Sequence, residues 1–127
     1  MLSESGVVKL NDFGLSKQHN ARYFDERSIC NAFLYQAPET LDTCAISKSD
    51  VWSLGMSVIE MVGGRNPYDG MTSKEFIGEV LNKPPPSFSS SGWSSDLMDF
   101  VNRCLVKNVT ERASVNELLR VSVVVIG

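Results

Sequence analysis

The run from Lys48 to Val62 constrains this chain most. It contains no proline, and Val51, Trp52, Leu54, Met56, Val58, Ile59, Met61 and Val62 place apolar side chains around nearly the whole helical circumference. A helix that is apolar on all sides is a buried helix, because a surface helix needs a polar face. Ser47 or Ser49 can cap its start, and Gly63-Gly64 ends it. The rest of the fold has to be built around this element.

Weaker helical signals follow. Thr72-Ser73-Lys74-Glu75 is a capping-box pattern leading into Phe76, Ile77, Val80 and Leu81. Pro84-Pro85-Pro86 and the serines 89–91 mark a linker. From Asp96 to Val106 the apolar residues recur at helical spacing. Ser114-Val115-Asn116-Glu117 is a second capping box. Upstream, Val7-Val8-Lys9-Leu10 reads as a short strand that carries Asp12 at its end. Leu15 to Ala32 shows no period and reads as a long loop, with a helical turn expected at Glu39–Asp42. The expectation is a mostly α domain with a short β element at its N-terminus.

Composition narrows the function. With 127 residues there is material for one compact domain. A net charge of −3 with interleaved signs gives no footprint for nucleic acid or an anionic membrane. The longest apolar stretch, Val121–Ile126, falls far short of the ~20 residues that span a bilayer. Three cysteines without a CxxC pair, and one histidine, argue against a zinc site or a disulfide framework. Reduced thiols in a cytoplasmic setting are the expected state, and the sequon Asn108-Val109-Thr110 is expected to be coincidental.

The order of motifs resembles the C-terminal lobe of a eukaryotic protein kinase, nearest to the MAP kinase kinases. The resemblance rests on Lys9-Leu10-Asn11-Asp12-Phe13-Gly14-Leu15-Ser16, Ala37-Pro38-Glu39, Ser49-Asp50-Val51-Trp52-Ser53-Leu54-Gly55, Asn66-Pro67-Tyr68 and Glu111-Arg112. It covers residues 1–120 as a partial kinase domain and leaves 121–127 as an atypical apolar tail. It implies an ATP- and Mg²⁺-dependent transferase in a phosphorylation cascade, with a MAP kinase as protein substrate and an upstream kinase as activator. Asp12 would be the Mg²⁺ ligand, with Phe13 packed under the nucleotide and Gly14 allowing the backbone to turn. Asp12 read alone is better taken as an ordinary Asx turn after a strand; beside the other motifs that is the lesser reading.

By the same resemblance Glu39 and Arg112 form a buried structural ion pair. Asp50 receives hydrogen bonds from the catalytic loop, or is simply an acid at a helix N-terminus. Ser28, in the activation segment, aligns with a regulatory phosphorylation site, and Ser16 is a second candidate. Phe24 occupies the other phosphorylatable position. Ala32 stands where a threonine hydroxyl is usual, and Ala113 where a proline is.

Other departures are absences. The sequence has no G-x-G-x-x-G loop and no Val-Ala-Ile-Lys strand, and its one histidine, His19, is followed by Asn20-Ala21 rather than Arg-Asp. The resemblance implies that the N-lobe and catalytic loop are missing and that the chain starts just after that loop. It is therefore expected to be inactive alone. A pseudokinase-like binding module and a non-functional truncation remain as alternatives.

Overall fold

The computed structural model describes residues 3–13, 31–42, 46–88 and 92–121. Gly14, Ser16, Phe24, Ser28 and the tail 122–127 lie outside these residues. Following a 3-10 turn at Asn31–Tyr35 come five helices: α1 (Pro38–Asp42), α2 (Ser47–Gly63), α3 (Ser73–Asn82), α4 (Ser95–Cys104) and α5 (Val115–Leu118).

Helix α2 is the axis. Ser49 Oγ, inside the first turn, accepts from the Ile46 N–H at 3.1 Å, so an orphan donor at the start is satisfied from within. At the other end Gly64 adopts a left-handed conformation, φ 73°, and donates back to the Glu60 carbonyl. That conformation costs a residue with a Cβ, which is why glycine sits there. Val51, Trp52, Met56 and Ile59 are buried.

Helix α4 packs across α2 at Gly55. A Cβ built on Gly55 would come within 2.7 Å of Cys104 Cβ and 2.9 Å of the Leu105 side chain, so only hydrogen lets the two helices approach this closely. On the other flank Phe76 of α3 is fully buried between Phe33 and Tyr68, its ring edge-to-face with both at 4.9 and 5.1 Å. This aromatic cluster fastens the 3-10 turn, the loop after α2 and helix α3 together.

The capping boxes form as read. Thr72 Oγ1 accepts from the Glu75 N–H, and the Glu75 carboxylate accepts from the Thr72 N–H at 2.8 Å. Ser114 and Glu117 exchange the same pair of bonds. Each box holds its glutamate below the ordinary carboxylate range, through the backbone N–H bond first and the hydroxyl second.

Two expectations need correction. The β element at Val7–Leu10 is reduced to an isolated bridge at Val8, and Val7, Val8 and Leu10 are exposed. A strand gains stability only from a paired neighbour and a face to bury, and no strand forms beside it among the described residues. Helix α2 is also not buried all round: Leu54 is 42% exposed and Met61 73%. Apolar composition is a requirement for burial; the covering side chains have to be supplied by other elements. No helix among the described residues is long and apolar enough to cross a membrane.

Candidate functional site

The best-defined polar centre lies where the segment ending in Glu39 meets the helical body. Helix α1 carries Glu39 in its first turn, and the short loop after α4 returns Arg112 to face it. Arg112 Nη1 donates to Glu39 Oε1 at 2.7 Å and Nη2 to Oε2 at 2.9 Å, a bidentate fork. Nη1 also donates to the Lys48 carbonyl at 2.8 Å and Nε to the Val106 carbonyl at 2.7 Å. Arg112 is 1% exposed, and its guanidinium carbon lies 5.2 Å from the centre of the Trp52 ring.

The carboxylate side is also shared. Ser49 Oγ donates to Glu39 Oε1 at 2.7 Å. Burial pushes the Glu39 carboxyl upward, but the Arg112 and Ser49 hydrogen bonds, its own backbone and the Arg112 charge together outweigh it and hold the group below the ordinary range. Lys48 Nζ caps the Val109 carbonyl at 3.0 Å, tying the loop that delivers Arg112 to the start of α2. Together these contacts join Glu39 of α1 to the first turn of α2 and to the loop that carries Arg112.

A second polar cluster lies further along α2. The Tyr35 hydroxyl donates to Glu60 Oε2, which also accepts from Asn66 Nδ2 at 3.2 Å. Asn66 is buried, and its Oδ1 accepts from the Tyr68 N–H at 2.9 Å. Ser53 Oγ donates to the Tyr35 carbonyl at 2.8 Å. The Glu60 hydrogen bond is the main reason the Tyr35 phenol is raised above its ordinary value. Sequence reasoning passed over this cluster. Its signal was a carboxylate, Glu60, standing in the apolar run Val58-Ile59-Glu60-Met61-Val62.

The other site residues are placed differently. Asp12 is exposed and left-handed, φ 60°. Phe13, expected to pack beneath a nucleotide, is 67% exposed. Asp50 is exposed in the first turn of α2, where its charge opposes the helix dipole favourably. Gly14 and Ser28 lie outside the described residues. Glu39 and Arg112 are brought together; Asp12 and Phe13 stand exposed.

Residues 1–124 match the protein kinase domain. The chain belongs to the protein kinase domain family. Curated relatives agree: it is 38% identical over 121 residues to the serine/threonine-protein kinase pakE of Dictyostelium discoideum, covering 94% of this chain and 13% of that protein. It is 35% identical to the serine/threonine-protein kinase hippo of Drosophila melanogaster over 94% of this chain and 18% of hippo. It is also 35% identical to the serine/threonine-protein kinase cst-1 of Caenorhabditis elegans, over 88% of this chain and 23% of that protein. The chain thus spans less than a quarter of the length of these kinases.

In the intact kinase family ATP and Mg²⁺ are the cofactors. Among the described residues no cluster of His, Cys, Asp or Glu could hold a metal ion. Asp12 supplies one exposed carboxylate. Mg²⁺ accepts few protein ligands when phosphates complete its shell. Among the described residues, Asp12 is the one member of the expected Asp12-Phe13-Gly14 site that offers a metal-binding oxygen.

Proposed function

We propose that this chain is the part of an ATP-dependent protein serine/threonine kinase that runs from the metal-binding triplet through the activation segment into the helices that anchor it. The observation that carries the reading is the bidentate Glu39–Arg112 pair, buried under Trp52 and shared with Ser49 and Lys48. It clamps one end of the Asp12–Glu39 segment to a rigid body, as a segment that presents a substrate hydroxyl requires. Asp12 would hold Mg²⁺ at the other end, Gly14 would give the backbone its turn, and Ser28 would take a regulatory phosphate in between.

The names of the relatives support serine/threonine specificity within the family. Placement beside the MAP kinase kinases, with a MAP kinase as substrate, an upstream activating kinase and possible dual specificity, is the finer part of the proposal and rests on the motif series alone. A cytoplasmic signalling role belongs to the same reading. Burial raises the Cys104 thiol to about 11, against a smaller opposite pull from Arg112, and so keeps it protonated and unreactive.

Phosphoryl transfer is positioning plus electrostatic stabilisation, and the sequence holds no Gly-rich loop, Val-Ala-Ile-Lys lysine or His-Arg-Asp base. The chain alone is therefore expected to be inactive. The alternative of a binding module draws on the exposed apolar side of α2 at Leu54 and Met61. One experiment separates the readings. The chain is assayed with Mg-ATP and a MAP kinase substrate, alone and joined to the N-terminal kinase half of a relative. Transfer onto Ser or Thr only in the joined protein, abolished by Asp12→Ala, supports the kinase reading. A joined protein that folds yet transfers nothing leaves the binding module, and turnover by the chain alone refutes the expected inactivity.

A further inference from the structure

Asn66 links the loop after α2 to the 3-10 turn Asn31–Tyr35 through a single carboxylate. Its side chain is 6% exposed and is used in both directions. Oδ1 accepts the Tyr68 N–H at 2.9 Å across Pro67, an Asx turn, and Nδ2 donates to Glu60 Oε2 at 3.2 Å. The same Glu60 oxygen accepts the Tyr35 hydroxyl. Of the isosteric side chains asparagine, aspartate and leucine, only the amide does both tasks. An aspartate accepts the backbone N–H but has no proton for Glu60, and leucine does neither.

The 3-10 turn is held by two kinds of contact. Leu34 is buried and Phe33 meets Phe76 edge-to-face, which fixes how deep the turn sits. Apolar burial has no direction; hydrogen bonds do. Tyr35 is gripped at both ends, its carbonyl by Ser53 Oγ at 2.8 Å and its hydroxyl by Glu60. Further along the chain the Arg112 fork anchors Glu39. One anchor fixes a point of a segment, and a second fixes its direction. Asn66 and Tyr35 share one oxygen of a half-buried carboxylate, so turning Glu60 away from Asn66 takes it away from Tyr35 as well.

We propose that Asn66 is a positioning residue that acts through Glu60 on Tyr35, setting the direction in which the segment ending at Glu39 meets a protein substrate. The substrate part rests on the kinase reading; the positioning part does not. A defect at Asn66 then belongs in KM for the protein substrate and not in KM for ATP.

The test compares Asn66→Asp, Tyr35→Phe and the double variant Asn66→Asp/Glu60→Gln. Asn66→Asp keeps the Tyr68 bond and sets a second carboxylate against Glu60. In the double variant the new amide at position 60 donates to the new carboxylate at position 66 and still accepts the Tyr35 hydroxyl. In the ¹⁵N-labelled chain, Gln36 N–H, which donates to the Phe33 carbonyl at 3.1 Å, reports on the turn. Thr40 N–H, which donates to the Ala37 carbonyl at 3.0 Å, reports on α1. Both single variants are expected to speed hydrogen exchange at Gln36 and not at Thr40, and the double variant to restore it. In the chain joined to the N-terminal kinase half of a relative, the single variants should raise KM for the protein substrate about twofold to tenfold, the range one hydrogen bond is worth. KM for ATP and kcat should not move, and the double variant should return to wild type.

Exchange that speeds equally at Gln36 and Thr40, or at neither, overturns the positioning claim. So does a double variant that recovers nothing, which reduces Asn66 to a general support of its loop. If Asn66→Asp alone does not fold, the double variant must fold and protect Gln36; one that stays unfolded overturns the proposal. A fall in kcat, or a rise in KM for ATP that matches the rise for the protein, overturns the substrate claim. A joined wild-type protein that folds yet transfers nothing removes the kinase reading and the substrate claim with it, while exchange at Gln36 still decides the positioning claim.

Discussion

The Arg112 centre and the Asp12 segment both belong to the motif series that resembles a protein kinase, and their surroundings differ sharply. Arg112 is 1% exposed with four side-chain hydrogen bonds, while Asp12 stands exposed beside a Phe13 that is 67% exposed. The contrast teaches that, among residues marking the same family, some are already partnered within the body and others stand exposed. Residues that identify a chemistry need partners to perform it. Residues that hold the body together already have theirs.

The largest test of that contrast is Arg112→Met. It leaves the partly buried Glu39 carboxylate without its counterion and should cost about 3 kcal/mol in urea unfolding. Adding Glu39→Gln should recover about half or more, since the stranded charge is then gone. If Arg112→Met costs no more than a surface substitution, the centre does not secure the fold. Next is Gly55→Ala, whose Cβ would meet Cys104 and Leu105 at 2.7 and 2.9 Å. Overpacking of this kind costs about 1–3 kcal/mol. Gly78→Ala on α3, with nothing within 4 Å of the new methyl, should instead stabilise by roughly 0.5–1 kcal/mol.

A smaller effect is set by pH. Glu39 is lowered in the folded state, so its contribution is fully present above the ordinary glutamate value of 4.5 and is lost as pH falls from there through its folded value. The urea midpoint should decline over that acid range, and Glu39→Gln should remove part of the slope. The exposed Glu75 and Glu117 titrate in the same direction, so a residual slope belongs to the capping boxes. The smallest effect is expected at Asp12→Ala, within about 0.5 kcal/mol of wild type by the same unfolding measurement. A larger change would mean that the N-terminal segment is tied into the body after all.

Much of the helical body was legible in the sequence because its signals are local. Thr72 with Glu75 and Ser114 with Glu117 fix two helix starts within four residues, and Gly64 fixes one end. The β element at Val7–Leu10 was misjudged because strand formation depends on a neighbour that no local pattern can guarantee. Leu54 and Met61 were misjudged for a related reason: periodicity says which residues could be buried and not what covers them. The Tyr35–Glu60–Asn66 cluster joins residues far apart in sequence through side-chain geometry, which composition and spacing do not encode.

The Glu39–Arg112 pair also joins positions 73 apart in sequence. Closing so long a loop must be paid in chain entropy before the contact gives anything back. The fork is therefore expected to form after α2 and α4 have docked, and Arg112→Met should speed unfolding far more than it slows folding. During synthesis the same order is imposed by direction: every ribosome-bound chain carries Glu39 without its counterion until the residues after α4 have emerged.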